Sequence, residues 1–495
     1  MHKKLPIFYS ALLLTMVNLL LRLVSTGFQV YLSRRIGAAG IGLLQLVMSV
    51  GGLAMVAGMA GIRTAAMYLT AEELGRKQPE NVRHLLSGCF LYSFICSGIA
   101  SGFLFFLAPV IAENWIGDMR ALAPLRLFSG CIPLVCLCGV MTGYFTAANR
   151  IGTLAIVEIA EQLCSITVTM LTLTFWAGND CGRACGCVLL GSGAGACLTL
   201  LCLVILRCRE TFATTSPIPV TERLLQAAVP LALADIVKSG INTTENLMVP
   251  KRLAKYALVS DPLADFGRVS GMVFPVLMFP ACILFALAEL LIPELARCSA
   301  AGSQQRISYL VRRGLKIAML YGVLFSGLMF LMAESLCLRL YGNPEAVRYL
   351  RLYAFLIPML YCDAITDAMT KGLGQQKACV RYNILTSGMD VILLFLLLPK
   401  YGMDGYFVSF LITHLINFLL SLRRLLHISK VTLPFSVPVL TLSAAMAAIW
   451  GAAQIRGTIG QMIAYPALLG SLLYLFRILC PEDFHWITGL VRTKK

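Results

Sequence analysis

Apolar stretches long enough to cross a bilayer recur from one end of this chain to the other, separated by short breaks. A hydrocarbon core about 30 Å thick takes roughly 20 apolar residues of helix. Inside it, every backbone N–H and C=O must be satisfied within the segment itself. The runs predict helices near 7–32, 41–70, 85–109, 121–147, 153–176, 186–206 and 224–249. A second set falls near 264–293, 309–333, 347–371, 379–398, 402–422, 434–455 and 461–479. Only 13% of the residues are charged, against about 25% in a soluble domain. The expected fold is an all-α integral membrane protein with about 14 transmembrane helices and no sizeable soluble domain.

The charged residues then report orientation, because cytoplasmic loops carry an excess of Lys and Arg. With the N-terminus inside, cytoplasmic segments hold about 24 Lys/Arg and outer segments about 14. Both termini are expected in the cytoplasm, and much of the +17 net charge is this topology signal. A nucleic-acid partner needs a basic folded surface, for which the chain has no room. Lys3 and Lys4 precede the first apolar run, but no A-x-A site follows and the run is too long for a signal-peptide core. It reads as a retained first span.

The 18 cysteines form no zinc pattern, and most lie inside spans, where Cys acts as a small apolar residue. Cys181, Cys185 and Cys187 fall in the expected outer loop between spans 5 and 6. They are either a disulfide or metal clip or unpaired cysteines at the membrane edge.

Shifting the chain by 225 residues places Ile132-Pro133 on Ile357-Pro358 and Gly143–Arg150 on Ala368–Gln375. Each match joins span n to span n+6, so topology is preserved. This predicts a parallel repeat about an axis along the membrane normal. The expected division is an N-terminal lobe at 1–210 (spans 1–6), a C-terminal lobe at 220–425 (spans 7–12) and two further spans at 430–480.

Arg22 lies inside the first apolar run, where a charge costs about 2.5–3.5 kcal/mol on insertion scales. Asn18, Arg22, Ser25 and Gln29 are spaced 4, 3 and 4, so they share one helical face. Span 7, the repeat partner, carries Asp235, Lys238, Asn242 and Glu245 at spacings of 3, 4 and 3. Such faces either line a water-filled cavity or, for Asp235 and Lys238, neutralise each other at i,i+3. Arg63 either faces the same cavity or snorkels to the inner interface. Guanidinium binds phosphate bidentately and stays charged. A cavity with Arg22, and with Arg63, Lys238 and Arg268, therefore suits an anionic head group. Asp235, Glu245, Asp363, Asp367 and Asp390 are candidates for coupling to H⁺, Na⁺ or membrane potential. Their alternative, shared with Glu158, Glu161 and Glu289, is an ion pair or a helix cap.

No P-loop occurs, and the glycine-rich 191–195 segment sits inside span 6, where glycines serve helix packing. No cofactor or metal site is expected. A membrane glycosyltransferase would want catalytic groups on a sizeable loop, and none is present.

Several segments resemble one family. "YLSRRIGAAGIGLLQL" (31–46), "ENLMVPKRL" (245–253), the long block from Phe266 to Gly302 with its G-M-x-x-P and L-I-P elements, and "TKGLGQQKA" (370–378) carry the likeness. The chain resembles the stage V sporulation protein B and polysaccharide biosynthesis branch of the multidrug/oligosaccharidyl-lipid/polysaccharide exporter superfamily. The resemblance implies two lobes, fourteen helices and transport of polyprenyl-linked saccharides or peptidoglycan precursors without ATP hydrolysis. Cell-wall synthesis enzymes would be the partners. Related lipid II flippases use cavity arginines on the first two spans. Arg22 occupies a comparable place, whereas Arg63 stands where a proline or small residue is expected. The expectation is a flippase of the bacterial plasma membrane; a cation-coupled multidrug antiporter of the same superfamily is the alternative.

Overall fold

A computed structural model of the chain describes residues 7–75, 81–148, 150–178, 180–208, 220–257, 260–432, 434 and 436–479, and all regular structure among them is helical. The α-helices are α1 (Ile7–Met59), α2 (Ile62–Gly75), α3 (Asn81–Val110), α4 (Leu122–Ala147), α5 (Ile151–Phe175) and α6 (Cys181–Cys208). They continue with α7 (Val220–Leu253), α8 (Pro262–Gly267), α9 (Phe274–Met278), α10 (Ala281–Ala300) and α11 (Gln304–Leu336). The last five are α12 (Glu345–Ala354), α13 (Ile357–Gly372), α14 (Gln376–Ser429), α15 (Ser436–Ala453) and α16 (Thr458–Leu475). Among the described residues, nine helices are long and apolar enough to cross a membrane, and two bent pairs raise the number to 11.

Two of these helices are too long to be single spans. At 53 residues, α1 would measure about 80 Å if straight, far beyond a bilayer. Gly37 leaves helical geometry inside it (φ 73°, ψ 176°), a conformation that only glycine adopts cheaply. The expected break between spans 1 and 2 is thus a kink rather than a loop. α14 repeats the device over 54 residues, with Gly402 at φ 58°, ψ −137°. A further break at Ala60 (φ 44°) and Gly61 (φ 71°) separates α1 from α2.

The spans expected near 264–293 and 347–371 are not straight. The first bends by 62° between α9 and α10, the second by 54° between α12 and α13. Proline explains both. Pro280 directly precedes α10, and Pro358 stands in the first turn of α13. Each lacks an N–H and clashes with the preceding turn.

The chain divides into two compact units, one of residues 1–271 with 391–406 and the other of residues 272–390 with 407–495. In the first, Ile62, Val140, Phe145, Leu203 and Leu224 form a buried core joining α2, α4, α6 and α7. The end of α2 is tied to the start of α7 by Arg223, which donates at 2.8 Å to each of Glu72 and Glu73. Gly267, at the end of α8, packs directly on α1, where a Cβ would collide with the Ala38 carbonyl oxygen. In the second unit, Val323, Ala444, Ala448, Tyr465 and Leu469 pack α11, α15 and α16 together. The small residues of α15 allow this close approach, and the buried Tyr465 hydroxyl donates to the Val323 carbonyl at 2.6 Å.

Candidate functional site

All the expected head-group residues lie in the first unit. Arg22 and Ser25 are exposed on α1, and Gln29 is half-buried. Thr26 donates its hydroxyl to the Arg22 carbonyl at 2.9 Å. Gln29 donates from Nε2 to the Gly271 carbonyl at 3.3 Å, so it bridges to the π-helical turn after α8. Asn18 is on α1, but its side chain lies outside the described residues.

α7 turns a different face to α1. Buried Thr243 donates to the Ser49 carbonyl at 3.0 Å, and Asn246 donates to the Ser49 hydroxyl at 2.9 Å. With that face used for packing, Asp235, Lys238 and Asn242 are left exposed, and Glu245 is half-buried. Among the described residues no ion pair joins Asp235 to Lys238. The two side chains are therefore not joined to each other, and both are exposed on α7.

Arg268 behaves differently from Arg22. It is mostly buried and pairs with Asp265 at 2.6 Å in an i,i+3 contact. Arg63 begins α2 just past the Ala60–Gly61 break. It lines a cavity of about 190 Å³ with Glu158, Glu161 and Thr199, enclosed by α2, α4, α5 and α6. Thr199 donates to Glu161 at 2.7 Å. Arg63 thus shares its space with carboxylates of α5.

The coupling candidates of the second unit fall into two arrangements. Asp367 is paired with Lys371 at 2.6 Å, one turn along α13. Asp363 and Asp390 instead accept from the second half of α14. Asn417 donates to Asp363 at 3.3 Å; Ser409 and Thr413 donate to Asp390 at 2.6 and 3.2 Å. His414, stacked on Phe410 with centroids 3.7 Å apart, is next to Thr413 and hydrogen-bonds the Phe410 carbonyl at 3.0 Å. Ser409, Thr413, Asn417 and Ser421 recur every four residues, so they form one polar track down a helix. The track ends at Arg424, which donates to Gln375 at 2.6 Å. An intramembrane carboxylate supported by neutral hydroxyl and amide donors can stay charged and hold a small cation, or take up a proton. The sequence pattern does not single out this track, because isolated Ser and Thr are ordinary in apolar helices. Its only signal is the four-residue spacing opposite Asp390 and Asp363.

Cys181, Cys185 and Cys187 lie on the first turns of α6 and not in a loop. Cys185 is buried, with its Sγ 3.6 Å from the Gly40 carbonyl oxygen. All cysteines among the described residues are free.

These features define a multi-pass, all-helical membrane protein with intramembrane charged groups in each unit. The family model described as "Polysaccharide biosynthesis protein" matches residues 8–299, and the chain belongs to that family. The MatE model matches residues 256–396. Stage V sporulation protein B of Bacillus subtilis (strain 168) is 22% identical over 503 residues, covering 96% of each chain. Sporulation protein YkvU of the same organism is 21% identical, covering 67% of this chain and 76% of its own length. Among solved structures, the lipid II flippase MurJ in an inward closed conformation covers 94% of this chain and 98% of its own, with a TM-score of 0.70 at 14% identity. An inward-facing multidrug resistance MATE family transporter of the MOP superfamily covers 85% and 100%, with a TM-score of 0.65 at 13% identity. The two structural likenesses establish a shared fold.

Proposed function

We propose that the protein is a flippase of the bacterial plasma membrane. It would move a polyprenyl-(pyro)phosphate-linked saccharide or peptidoglycan precursor across the bilayer by alternating access, as a transporter and not an enzyme. The observation that carries this reading is the exposed polar face of α1 and α7. Arg22, Ser25, Asp235, Lys238 and Asn242 are exposed on α1 and α7, and Thr243 and Asn246 of α7 pack on Ser49 of α1. Lipid tails solvate such groups poorly, so this exposed polar face favours a polar occupant. Arg22 and Lys238 give that occupant a place for phosphate, and Ser25, Asn242 and Gln29 give hydroxyl and amide partners for a sugar. Family membership and the full-length likeness to stage V sporulation protein B support the same substrate class. Partnership with cell-wall synthesis enzymes follows from that class.

The proposed architecture has fourteen spans in two related lobes of six, followed by two more, with both termini cytoplasmic. The count is supported by breaking α1 and α14 at Gly37 and Gly402 and by adding the 34-residue α7 to the 11 apolar candidates. The repeat is supported by a chemical echo. Glu161 accepts a hydroxyl from the next helix as Asp390 does, and the two carboxylates are 229 residues apart. That is within about one helical turn of the 225-residue shift. Asp390 and Asp363 are the proposed coupling groups, with Asp367 held by Lys371 and with Asp235 and Glu245 belonging to the head-group face.

The match of the MatE model to 256–396 favours a second reading, cation-coupled drug export. Reconstitution in liposomes separates the two. The flippase reading expects translocation of labelled polyprenyl-pyrophosphate saccharide and no efflux of cationic dyes. Dye efflux without saccharide translocation would replace it with the second.

A further inference from the structure

A cavity of the second unit contains none of the residues proposed for transport. It measures about 650 Å³ and is lined by α11, α12, α15, α16 and the turns between them, within the range of small-molecule sites. One wall is apolar, made by Phe330, Leu331 and Leu338. The other carries Arg339, Arg351 and Glu334, two guanidinium groups against one carboxylate. Arg351 reaches Glu334 only at 3.6 Å. Arg339 has no carboxylate partner among the described residues. The floor is fixed by a 2.9 Å hydrogen bond between Ser335 and Thr458, which ties α11 to the start of α16. Gln461 is held by donating to the Ile455 carbonyl at 3.1 Å.

The surroundings say what kind of molecule fits. On α16, Ile459 and Ile463 are 75% and 69% exposed, and Trp450 near the end of α15 is 72% exposed. Tryptophan is enriched at the level of lipid head groups, and the two exposed isoleucines share α16 with Thr458 and Gln461 of the cavity lining. A net positive cavity with one apolar wall, beside exposed apolar residues of α16, is complementary to an amphiphile whose head bears a phosphate ester. Guanidinium groups hold such phosphates through charge-assisted hydrogen bonds.

We propose that this cavity is a binding site for an anionic phospholipid, with its phosphate between Arg339 and Arg351 and its chains along α16. Glu334 competes for Arg351 and so tunes the site. The proposal rests on the membrane reading alone and not on the identity of the transported substrate. Under the proposed orientation the site opens to the outer leaflet.

Native mass spectrometry of the full chain tests it, with phosphatidylglycerol and phosphatidylcholine as the probes. The wild-type protein should retain phosphatidylglycerol about tenfold better than phosphatidylcholine, whose phosphate is the same but whose trimethylammonium adds a cation repelled by the two guanidinium groups. Arg339→Gln with Arg351→Gln should remove that preference. Glu334→Gln should increase it, an effect of opposite sign that a folding defect cannot produce. Equal retention of the two lipids by the wild type, or an unchanged preference in the arginine double variant, would overturn the proposal. So would displacement of the lipid by equimolar glycerol 3-phosphate, which would make the site one for soluble phosphates. Transport activity does not enter this readout, so either reading can fail without the other.

Discussion

Asp390 and Ser409 sit on opposite sides of the Gly402 kink in α14, and the serine hydroxyl donates to the carboxylate at 2.6 Å. A kink that folds one long helix back on itself thereby supplies a membrane carboxylate with donors from its own chain. Thr413 adds a second donor at 3.2 Å. Neutral donors satisfy the charge without cancelling it, which leaves the site free to exchange a proton or a small cation.

The first prediction concerns this carboxylate. Asp390→Asn keeps the size and the hydrogen bonds but removes the exchangeable charge. Transport by the variant should lose its dependence on an imposed Na⁺ or pH gradient, while the purified protein keeps its thermal midpoint. Liposome uptake with each gradient imposed and collapsed measures this. Wild-type transport that persists unchanged with both gradients collapsed would end the coupling proposal.

Gly267 is predicted to tolerate no side chain. A valine there must displace the Ala38 backbone of α1, and such overpacking costs about 1–3 kcal/mol. Thermal unfolding in detergent should show a clearly lower midpoint for Gly267→Val. For Gly302, beside open space but at φ 65°, the cost of a side chain is backbone strain alone. A midpoint of Gly267→Val equal to wild type would mean that α8 does not pack on α1 this closely.

Removing Arg223 should cost more than removing the whole clamp. Glu73 is 2% exposed, and Arg223→Ala removes a guanidinium that offsets its burial while keeping the neutral Asn81 donor at 2.9 Å, a loss of about 1–3 kcal/mol. Adding Glu73→Gln to Arg223→Ala should recover part of that loss, because the stranded charge is gone. A double-mutant cycle on the unfolding midpoint checks the coupling; strictly additive effects would contradict it.

How much of this was legible beforehand differs between residues for physical reasons. The helical spans are visible because apolar length is a coarse property, and Ser33, Arg34 and Arg35 interrupt the apolar run of the 53-residue α1 just before its kink at Gly37. That the backbone stays helical up to Gly37 was not visible, because polar residues do not by themselves end a helix. The bends at Pro280 and Pro358 were in plain view as prolines, but their angles depend on packing. The Cys181–Cys187 segment looked like a loop, being rich in glycine and cysteine; contacts such as Cys185 with Gly40 accompany its helical form. Of the arginines, sequence alone could not tell Arg268, paired with Asp265, from exposed Arg22. The Ser409–Ser421 track was hidden because hydroxyls are inconspicuous until a carboxylate faces them.

The central claim is that Arg22 grips the phosphate of a lipid-linked substrate, and flipping in reconstituted liposomes tests it most directly. Labelled polyprenyl-pyrophosphate saccharide would be followed across the bilayer by wild type, Arg22→Lys and Arg22→Ala at matched protein incorporation. Loss of a charge-assisted contact of about 1.5–3 kcal/mol predicts flipping at least tenfold slower for Arg22→Ala, with partial recovery for Arg22→Lys, which keeps the charge but not the bidentate fork. Flipping by Arg22→Ala at the wild-type rate would contradict the account.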